Sequence, residues 1–349
     1  MSRRLVLGGI FAFAAFAGAL HYAGVEPVAV FIVSGAALGG LAWAIGMGTE
    51  SVGVHFGPAV TGVLQSTLGN LPELFVVLFS LSAGEIVVAQ TSILGSLFAN
   101  AMFVLGLAIV AGSHHAPDGV MRFHARLPND TATLLLLAVF IIVLLGLSDQ
   151  AGDRASEHQV AISAVGAVCL LGVYAAWLWS YLRSPGQHAA IEQPAHAALA
   201  LRPAIGVLAL AGVGAAFVSE WFVDALDPAV DALGISKAFT GLVIVAIAGN
   251  AVENVVGITL AAKGQSDLAI SVIKNSVAQI AVFLFPALVL LSLFFSDRLT
   301  FVLNPVYIGA LVIMALAVWQ VTGDGEAVAF EGWALVALYV ILAVLTFFE

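Results

Sequence analysis

A five-residue pattern, Gly-Asn-x-x-Glu, occurs twice in this chain, and both copies lie inside strongly hydrophobic segments. The first copy spans residues 69–73 and ends on Glu73, and the second spans residues 249–253 and ends on Glu253. A carboxylate inside a membrane costs about 2.5–3.5 kcal/mol on the gentlest insertion scale, and such residues usually mark ion or proton pathways. The repeated acid therefore predicts one cation site built from two related halves.

Within each copy, the asparagine lies three residues and the glycine four residues before the glutamate, and both spacings share one helical face. The residues concerned are Gly69, Asn70 and Glu73 in the first copy, and Gly249, Asn250 and Glu253 in the second. Glycine permits irregular backbone, and Pro72 has no N–H to donate, so the first helix should expose carbonyl groups to a cavity or a cation. Val252 replaces that proline, so we expect the second helix to be less disrupted.

Further polar side chains follow each copy on the next hydrophobic segment, again at helical spacing. They are Ser92, Ser96 and Asn100 after the first copy, and Ser276 and Gln279 after the second. All these candidate ligands are hard oxygens, which suit Ca²⁺ with its roughly 6–8 oxygen ligands better than Mg²⁺, because Mg²⁺ dehydrates reluctantly. Ca²⁺ is the favoured ion, and Na⁺ stays open.

Two glutamates in a poorly solvated site also predict proton coupling. Without a metal ion, burial and mutual repulsion favour protonation of Glu73 and Glu253, whereas a bound divalent cation favours their ionised forms. One site then holds either metal or protons, and the two acids titrate as a coupled pair. Alternating access of such a site would exchange a cation for protons.

The composition places the chain in a lipid bilayer. Hydrophobic residues make up 62% and charged residues 9% of the 349 residues, against about 45–50% and 25% in soluble domains. The net charge of −10 reflects few Lys and Arg, and nothing indicates a nucleic-acid partner. A single cysteine, Cys169, excludes an internal disulfide and a cysteine-based metal site.

Counting apolar runs of about 20 residues predicts an all-α integral membrane protein with about eleven transmembrane helices. The predicted spans are 5–24, 27–47, 58–82, 86–112, 131–148, 159–182, 203–226, 237–262, 267–296, 302–321 and 331–348. We interpret the run from Leu5 as a membrane helix rather than a cleaved signal peptide. The bias of Lys and Arg toward alternate loops favours a cytoplasmic N-terminus.

Glu73 falls on the third predicted helix and Glu253 on the eighth, so the two motif helices should cross the membrane in opposite directions. This is the inverted-repeat pattern of secondary transporters, whose sites lie near the midplane. The predicted organisation is an extra N-terminal helix and two five-helix repeats joined by a linker loop. The corresponding ranges are 1–26, 27–184 (helices 2–6), 185–202 and 203–349 (helices 7–11).

The chain resembles the calcium/cation antiporter superfamily, and within it the calcium/proton exchanger (CAX) branch. The resemblance rests on the doubled Gly-Asn-x-x-Glu pattern, on Thr49-Glu50 and Ser219-Glu220 before the two copies, and on Gln-x-Ser-x-x-Gly-Ser at residues 90–96. It extends over most of the chain from about residue 27. The chain departs from the family pattern at Leu71-Pro72, at Asn254 and at residues 275–277.

This resemblance implies roles for particular residues. Glu73 and Glu253 would be ion ligands and proton carriers, and backbone oxygens near Gly69 and Gly249 would complete the site. Family motif positions also include Asn70, Asn250, Ser96 and Gln279.

Several residues have a structural interpretation beside the functional one. The asparagines and the small polar residues Ser92, Ser96 and Ser276 could instead join or pack helices. Glu50 and Glu220 could be solvated helix ends or an antechamber for cations. Lys274 would oppose a bound cation, so we expect it to point away from Ser276, and Asp267, two turns back on its own helical face, could pair with it. The alternative is that Lys274 is an internal cation that substitutes for an ion and changes the stoichiometry.

The sequence therefore predicts a secondary antiporter that exchanges Ca²⁺, or a similar cation, for protons and needs no cofactor. The nearest alternative is a Na⁺/H⁺ or Na⁺/Ca²⁺ exchanger on the same fold, and a cation channel is a further class. An enzyme is disfavoured, because no nucleophile–base pair accompanies the glutamates. The expected location is a prokaryotic plasma membrane, and the oligomeric state is left open.

Overall fold

The computed structural model describes residues 3–56, 68–182 and 199–349, and almost all of them are helical. The side chains of Val252 and Glu253 fall outside the described ones. The helices of the amino-terminal half are α1 (Arg3–Tyr22), α2 (Pro27–Phe56), α3 (Leu71–Ser82), α4 (Ile86–His115), α5 (Arg126–Ala151) and α6 (Gln159–Leu182). Those of the second half are α7 (Leu201–Asp224), α8 (Leu226–Leu233), α9 (Lys237–Gly249), α10 (Ala251–Ala262), α11 (Ser266–Ser292), α12 (Pro305–Thr322) and α13 (Ala329–Phe347).

Nine of these helices, counted over the described residues, are long and apolar enough to cross a membrane. They coincide with all the predicted spans except the third and the eighth, which are the two that carry the repeated motif. The first part of the predicted third span lies at residues 57–67, outside the described residues, and α3 has only 12 residues. The predicted eighth span is divided into α9 and α10, and α9 meets α8 at a bend of 115°.

The segments that follow the two motifs contain the same local structures in the same order. Helices α3 and α10 are both 12 residues long and begin 180 residues apart. Each ends in a turn at a glycine with positive φ, Gly84 at 80° and Gly264 at 74°, a conformation that costs other L-residues about 1–2 kcal/mol. Each following helix contains a π-helical turn, Ala99–Val104 in α4 and Ile280–Leu284 in α11.

A short β-ribbon interrupts the otherwise helical architecture, and the sequence did not predict it. Strand β1 (Val120–Arg122) pairs antiparallel with β2 (Glu326–Val328), with Met121 opposite Ala327. The Arg122 guanidinium lies 2.6 Å from Asp118 and 3.2 Å from Glu326. A hydrogen bond from Arg122 holds the pKa of the Asp118 carboxyl below its ordinary value.

The chain forms two compact units, and each draws on both predicted repeats. The first contains Met1–Ser92, Ile191–Val252 and Thr346–Glu349, and the second contains Ile93–Ala190 and Glu253–Leu345. The repeat boundaries stay a prediction.

Each unit has its own core. In the first, α2 packs against α7, where the rings of Phe31 and Phe222 stack at 4.6 Å. In the second, Phe285 and Phe301 meet edge to face at 4.9 Å. Gly106 on α4 faces Gly332 on α13 so closely that a Cβ on Gly106 would lie 2.5 Å from the Gly332 carbonyl oxygen. Such glycines let membrane helices approach backbone to backbone.

Candidate cation site

The two motif asparagines adopt the same unusual backbone conformation and interrupt their helices at that point. Asn70 has φ −92° and ψ 13°, and Asn250 has φ −106° and ψ 20°. This bridge region is sparsely populated and is common at functional sites. Helices α3 and α10 begin at the residues immediately after Asn70 and Asn250.

Both motif helices are interrupted at the Gly-Asn pair, at Gly69 and Asn70 in the first copy and at Asn250 alone in the second. Our expectation that the second helix is less disrupted stays a prediction, because residues 57–67 lie outside the described ones. Pro72 is the second residue of α3, where the missing N–H has no helical partner to lose. In the second copy, the Asn250 side-chain amide donates to the Ala246 carbonyl at 3.0 Å, a local bond that competes with helix continuation.

Glu73 occupies the third position of α3, within the first helical turn, and its side chain is only 1% exposed. The partial positive charge of a helix N-terminus stabilises a carboxylate there by typically 0.3–1 kcal/mol, and by up to about 2 kcal/mol when it is partly buried. The position of Glu73 thus favours a negative charge inside an apolar environment.

A small cavity of about 10 Å³ lies beside Glu73. Its lining residues are Leu38, Pro72, Glu73, Val76, Phe222, Val245, Ala248 and Gly249. A volume near 10–15 Å³ is about the minimum for one water molecule. A bound ion would therefore need to be largely dehydrated, or the surrounding helices would need to move apart.

The other wall of this cavity is the C-terminal end of α9. A Cβ on Gly249 would lie 3.7 Å from the Glu73 Cβ, and a Cβ on Gly39 would lie 3.6 Å from the Ala248 carbonyl oxygen. The last carbonyl groups of a helix have no intrahelical donor and carry the negative end of the helix dipole. The Glu73 side chain thus lies beside a helix C-terminus, and broken transporter helices offer such ends to a cation.

Glu253 holds the third position of α10, as Glu73 does in α3. Its side chain lies outside the described ones, so the meeting of the two carboxylates remains a prediction. Gly69 and Asn70 are buried directly before α3, and Asn250 is 1% exposed.

The polar residues of α4 are buried, and their donors point to their own helix. The Ser92 hydroxyl donates to the Val88 carbonyl at 2.6 Å, and the Asn100 amide donates to the Ser96 carbonyl at 3.0 Å. A hydroxyl that donates in this way keeps lone pairs for a cation. Ligand and packing roles for these residues both stay predictions.

On α11, Ser276 is buried and Gln279 is half-buried, directly before the π-helical turn. The neighbouring Asn275 contributes a buried amide oxygen that accepts no hydrogen bond from any described residue.

The two glutamates that precede the motifs lie outside the set of residues lining this cavity. Glu50 is half-buried on α2, and Glu220 is exposed on α7. Each is preceded by a residue with a buried hydroxyl, Thr49 or Ser219. The Thr49 hydroxyl donates to the Ile45 carbonyl at 2.9 Å, whereas the Ser219 hydroxyl has no partner among the described residues.

The expected Lys274–Asp267 pair is wrong. The Lys274 amine, 1% exposed, donates to the Thr322 hydroxyl at 3.3 Å, at the C-terminal end of α12. Asp267 instead accepts a hydrogen bond from the backbone N–H of His124 at 2.7 Å, and its carboxylate lies 3.0 Å from that imidazole. Helical periodicity gave the correct face, but it could not reveal the nearer partner on another segment.

Sequence reasoning also missed an ionic cluster of Glu85, Asp227 and Lys237, in which the Lys237 amine lies 2.6–2.8 Å from carboxylate oxygens of both acids. Its signal was weak, because the three residues come from separate segments. The only hint was a charged residue at the end of a predicted span.

Most of the chain is similar to known cation exchangers. A family model described as "Sodium/calcium exchanger protein" matches residues 26–182 and 203–348. The chain is 30% identical to the Ca²⁺/H⁺ antiporter of Synechocystis sp., over 95% of this chain and 94% of that protein. It is also 30% identical to the Ca²⁺/H⁺ antiporter ChaA of Bacillus subtilis, over 93% of each chain.

Among solved structures, the selenium-substituted Ca²⁺/H⁺ antiporter protein YfkE matches with a TM-score of 0.83 at 26% identity, over 99% of this chain and 100% of that one. The family match covers most of the chain and agrees with the membrane-spanning fold. The chain is an integral membrane transporter that belongs to the sodium/calcium exchanger protein family.

Proposed function

We propose that this protein is a secondary active antiporter that exchanges Ca²⁺, or a similar cation, for protons. One site near the midplane, containing Glu73 and Glu253, is exposed alternately to the two sides of the membrane. The observation that carries the proposal is the buried Glu73 side chain at the start of α3, beside the C-terminal end of α9 at Gly249. The Ca²⁺/H⁺ antiport named for the relatives supports the same ion pair.

Competition between metal and protons follows from the electrostatics of this environment. The cavity wall beside Glu73 is apolar apart from the carboxylate and backbone groups, so an ionised acid there requires a cation or a helix dipole. Metal binding displaces the protons, and protonation releases the metal. Transport is coupled because an empty, doubly ionised site is too costly to reorient.

The proposed location is a prokaryotic plasma membrane with a cytoplasmic N-terminus, as the Lys and Arg distribution favours. Ca²⁺ and H⁺ are then the transported partners.

Proteoliposomes with an imposed pH gradient test this function directly. The wild-type protein is expected to accumulate Ca²⁺ against its gradient and to release protons, and a protonophore should abolish both. Glu73→Gln and Glu253→Gln should reduce exchange to background, because each removes a charge that the cation needs. Glu26→Gln is the matched control, because Glu26 is an exposed acid in the turn before α2.

Wild-type exchange rates in either motif variant would contradict the proposal. Ca²⁺ movement driven by a Na⁺ gradient, with no proton flux, would instead favour the sodium-coupled alternative. Ca²⁺ flux that never runs uphill would indicate a channel.

A further inference from the structure

The cluster of Glu85, Asp227 and Lys237 joins three elements of the first compact unit. Glu85 belongs to the turn between α3 and α4, Asp227 lies on α8, and Lys237 is the first residue of α9. The Lys237 amine contacts the two Glu85 oxygens at 2.8 and 2.7 Å and one Asp227 oxygen at 2.6 Å. Glu85 is the most buried of the three side chains, at 15% exposure.

This cluster lies at the far ends of the two helices that meet at the candidate site. Glu85 follows Glu73 by 12 residues (85 − 73), and Lys237 precedes Gly249 by 12 residues (249 − 237). Helix α3 itself, with 12 residues, is about 18 Å long. Helices α3 and α9 therefore contact each other at Glu73 and Gly249, and the ionic cluster joins them again about 18 Å away.

The segments that carry Glu85 and Lys237 are held in place by local hydrogen bonds. The Glu85 N–H donates to the Ser80 carbonyl at 2.7 Å, directly after Gly84 with its positive φ. On the other side, the Ser236 hydroxyl accepts from the Phe239 N–H at 2.8 Å and caps the start of α9. Isolated exposed ion pairs contribute little to stability, but a preorganised network with a partly buried member contributes more.

A buried hydroxyl lies between the cluster and the candidate site. Ser80 is fully buried and is two helical turns beyond Glu73 on the same face of α3. Its hydroxyl has no hydrogen-bond partner among the described residues. A buried hydroxyl without a partner gains by contact with water, so Ser80 would become solvated if α3 and α9 separated at this end.

We propose that Lys237 is a positioning residue that closes this end of the α3–α9 pair. The Glu85–Lys237–Asp227 contacts separate when the site opens to that side, which the predicted topology assigns to the non-cytoplasmic face. The proposal rests on the proposed function, because it assumes that one site opens alternately to two sides. No other charged group among the described residues pairs with these three.

Thiol accessibility at Ser80 tests the proposal without a transport measurement. The background is full-length protein with Cys169→Ser, since Cys169 is exposed, and Ser80→Cys supplies the only thiol. A charged, impermeant thiosulfonate reagent is applied separately to each face of the membrane. With Lys237 intact the modification should be slow, and Lys237→Met should raise the rate about fivefold from one face only.

The modification rates of matched variants distinguish opening at this ionic cluster from a general loss of packing. Lys237→Arg should restore slow modification, and Glu85→Gln should match Lys237→Met, because both remove the same contact. Asp227→Asn should have a smaller effect, since that side chain is 55% exposed and makes a single contact. Lys263→Met removes an exposed lysine from the equivalent turn after α10 and should change nothing.

The dependence of the modification rate on salt tests whether the charge of Lys237 keeps this end closed. Raising the ionic strength from about 0.1 to 1 M shortens the Debye length from about 10 to 3 Å. Modification of Ser80→Cys should then accelerate in the parent protein but not in Lys237→Met. This arm also serves if Lys237→Met does not fold.

Equal modification rates in the parent, Lys237→Met and Glu85→Gln, with no response to salt, would overturn the proposal. An equal increase in Lys263→Met would also overturn it. These outcomes are distinct from failure of the proposed function, which is decided by ion exchange in the Glu73→Gln and Glu253→Gln variants.

Discussion

Residues 69–104 and 249–284 show the same local backbone filled with different side chains. Both segments contain a helix break at asparagine, a 12-residue helix, a glycine turn and a π-helical turn. In the turns, the Glu85 and Gln265 N–H groups donate to the Ser80 and Leu260 carbonyls, at 2.7 and 3.0 Å.

The two segments differ in the positions of their charges. The first carries an acid in its turn, Glu85, where the second has Gln265, and the second carries Lys274 where the first has Leu94. The Gly-Asn-x-x-Glu residues, the turn glycine and the broken backbone are common to both segments. Under the proposed function, the duplicated backbone and its acid are the parts that the cation requires, whereas the surrounding charges differ between the two segments.

The largest expected effect comes from filling the space beside Glu73. Gly249→Ala should retain exchange, because its Cβ would be at an ordinary 3.7 Å from the Glu73 Cβ. Gly249→Val adds two further carbons to a cavity of about 10 Å³ and should reduce the exchange rate at least about tenfold through overpacking. The proteoliposome assay measures both, and Gly69→Val should match Gly249→Val if the two copies contribute alike. Full activity in Gly249→Val would show that the ion binds elsewhere.

The two single variants Leu94→Lys and Lys274→Leu should change the free energy of unfolding by very different amounts. Leu94 is fully buried, so Leu94→Lys should lower the free energy of unfolding by at least about 2.5 kcal/mol. Lys274→Leu should change it by less than about 1 kcal/mol, because it removes a buried charge and leaves the Thr322 hydroxyl bonded to the Val318 carbonyl. Thermal unfolding in detergent measures both changes. Similar losses in the two variants would mean that Lys274 has a structural partner as important as the core around Leu94.

The smallest effects are expected at the glycine turns. Gly84→Ala should lower the melting temperature by about 2–4 °C, because alanine is strained at positive φ. Gly264→Ala should lower it further, because its Cβ would also lie 2.6 Å from the His115 imidazole. The double variant with Gly264→Ala and His115→Ala should have the same melting temperature as Gly84→Ala. The same melting temperature for both single variants would show that His115 moves aside freely.

Much of the helical layout was predictable because lipid imposes a strong constraint on sequence. Nine predicted spans appear as single helices, since about 20 apolar residues leave few alternatives. The spans around Asn70 and Asn250 depart from continuous helices at a Gly-Asn pair, because both residue types disfavour helix interiors, a property that hydropathy does not register. The repeated motif itself located both breaks.

Contacts between distant segments were the part that the sequence could not supply. The β-ribbon pairs residues that are about 200 positions apart through strands of three residues each, too short for an alternating pattern. Lys237 and Glu85 are 152 residues apart, and Asp267 meets His124 rather than the lysine on its own face. Periodicity specifies which side of a helix a residue occupies, but the identity of its neighbour depends on packing.

The π-helical turns in α4 and α11 also determine what kinds of sequence change these helices can accept. A π-turn contains one residue more than the α-turn it replaces. Deleting a single residue from Ala99–Val104 would let α4 become a regular helix and would keep Ser92 and Ser96 in nearly the same orientation relative to the residues beyond the turn. Substitutions that preserve length leave this relative orientation intact. Both helices could therefore lose one residue at the π-helical turn, whereas the same deletion elsewhere in either helix would rotate its two ends against each other by about 100°.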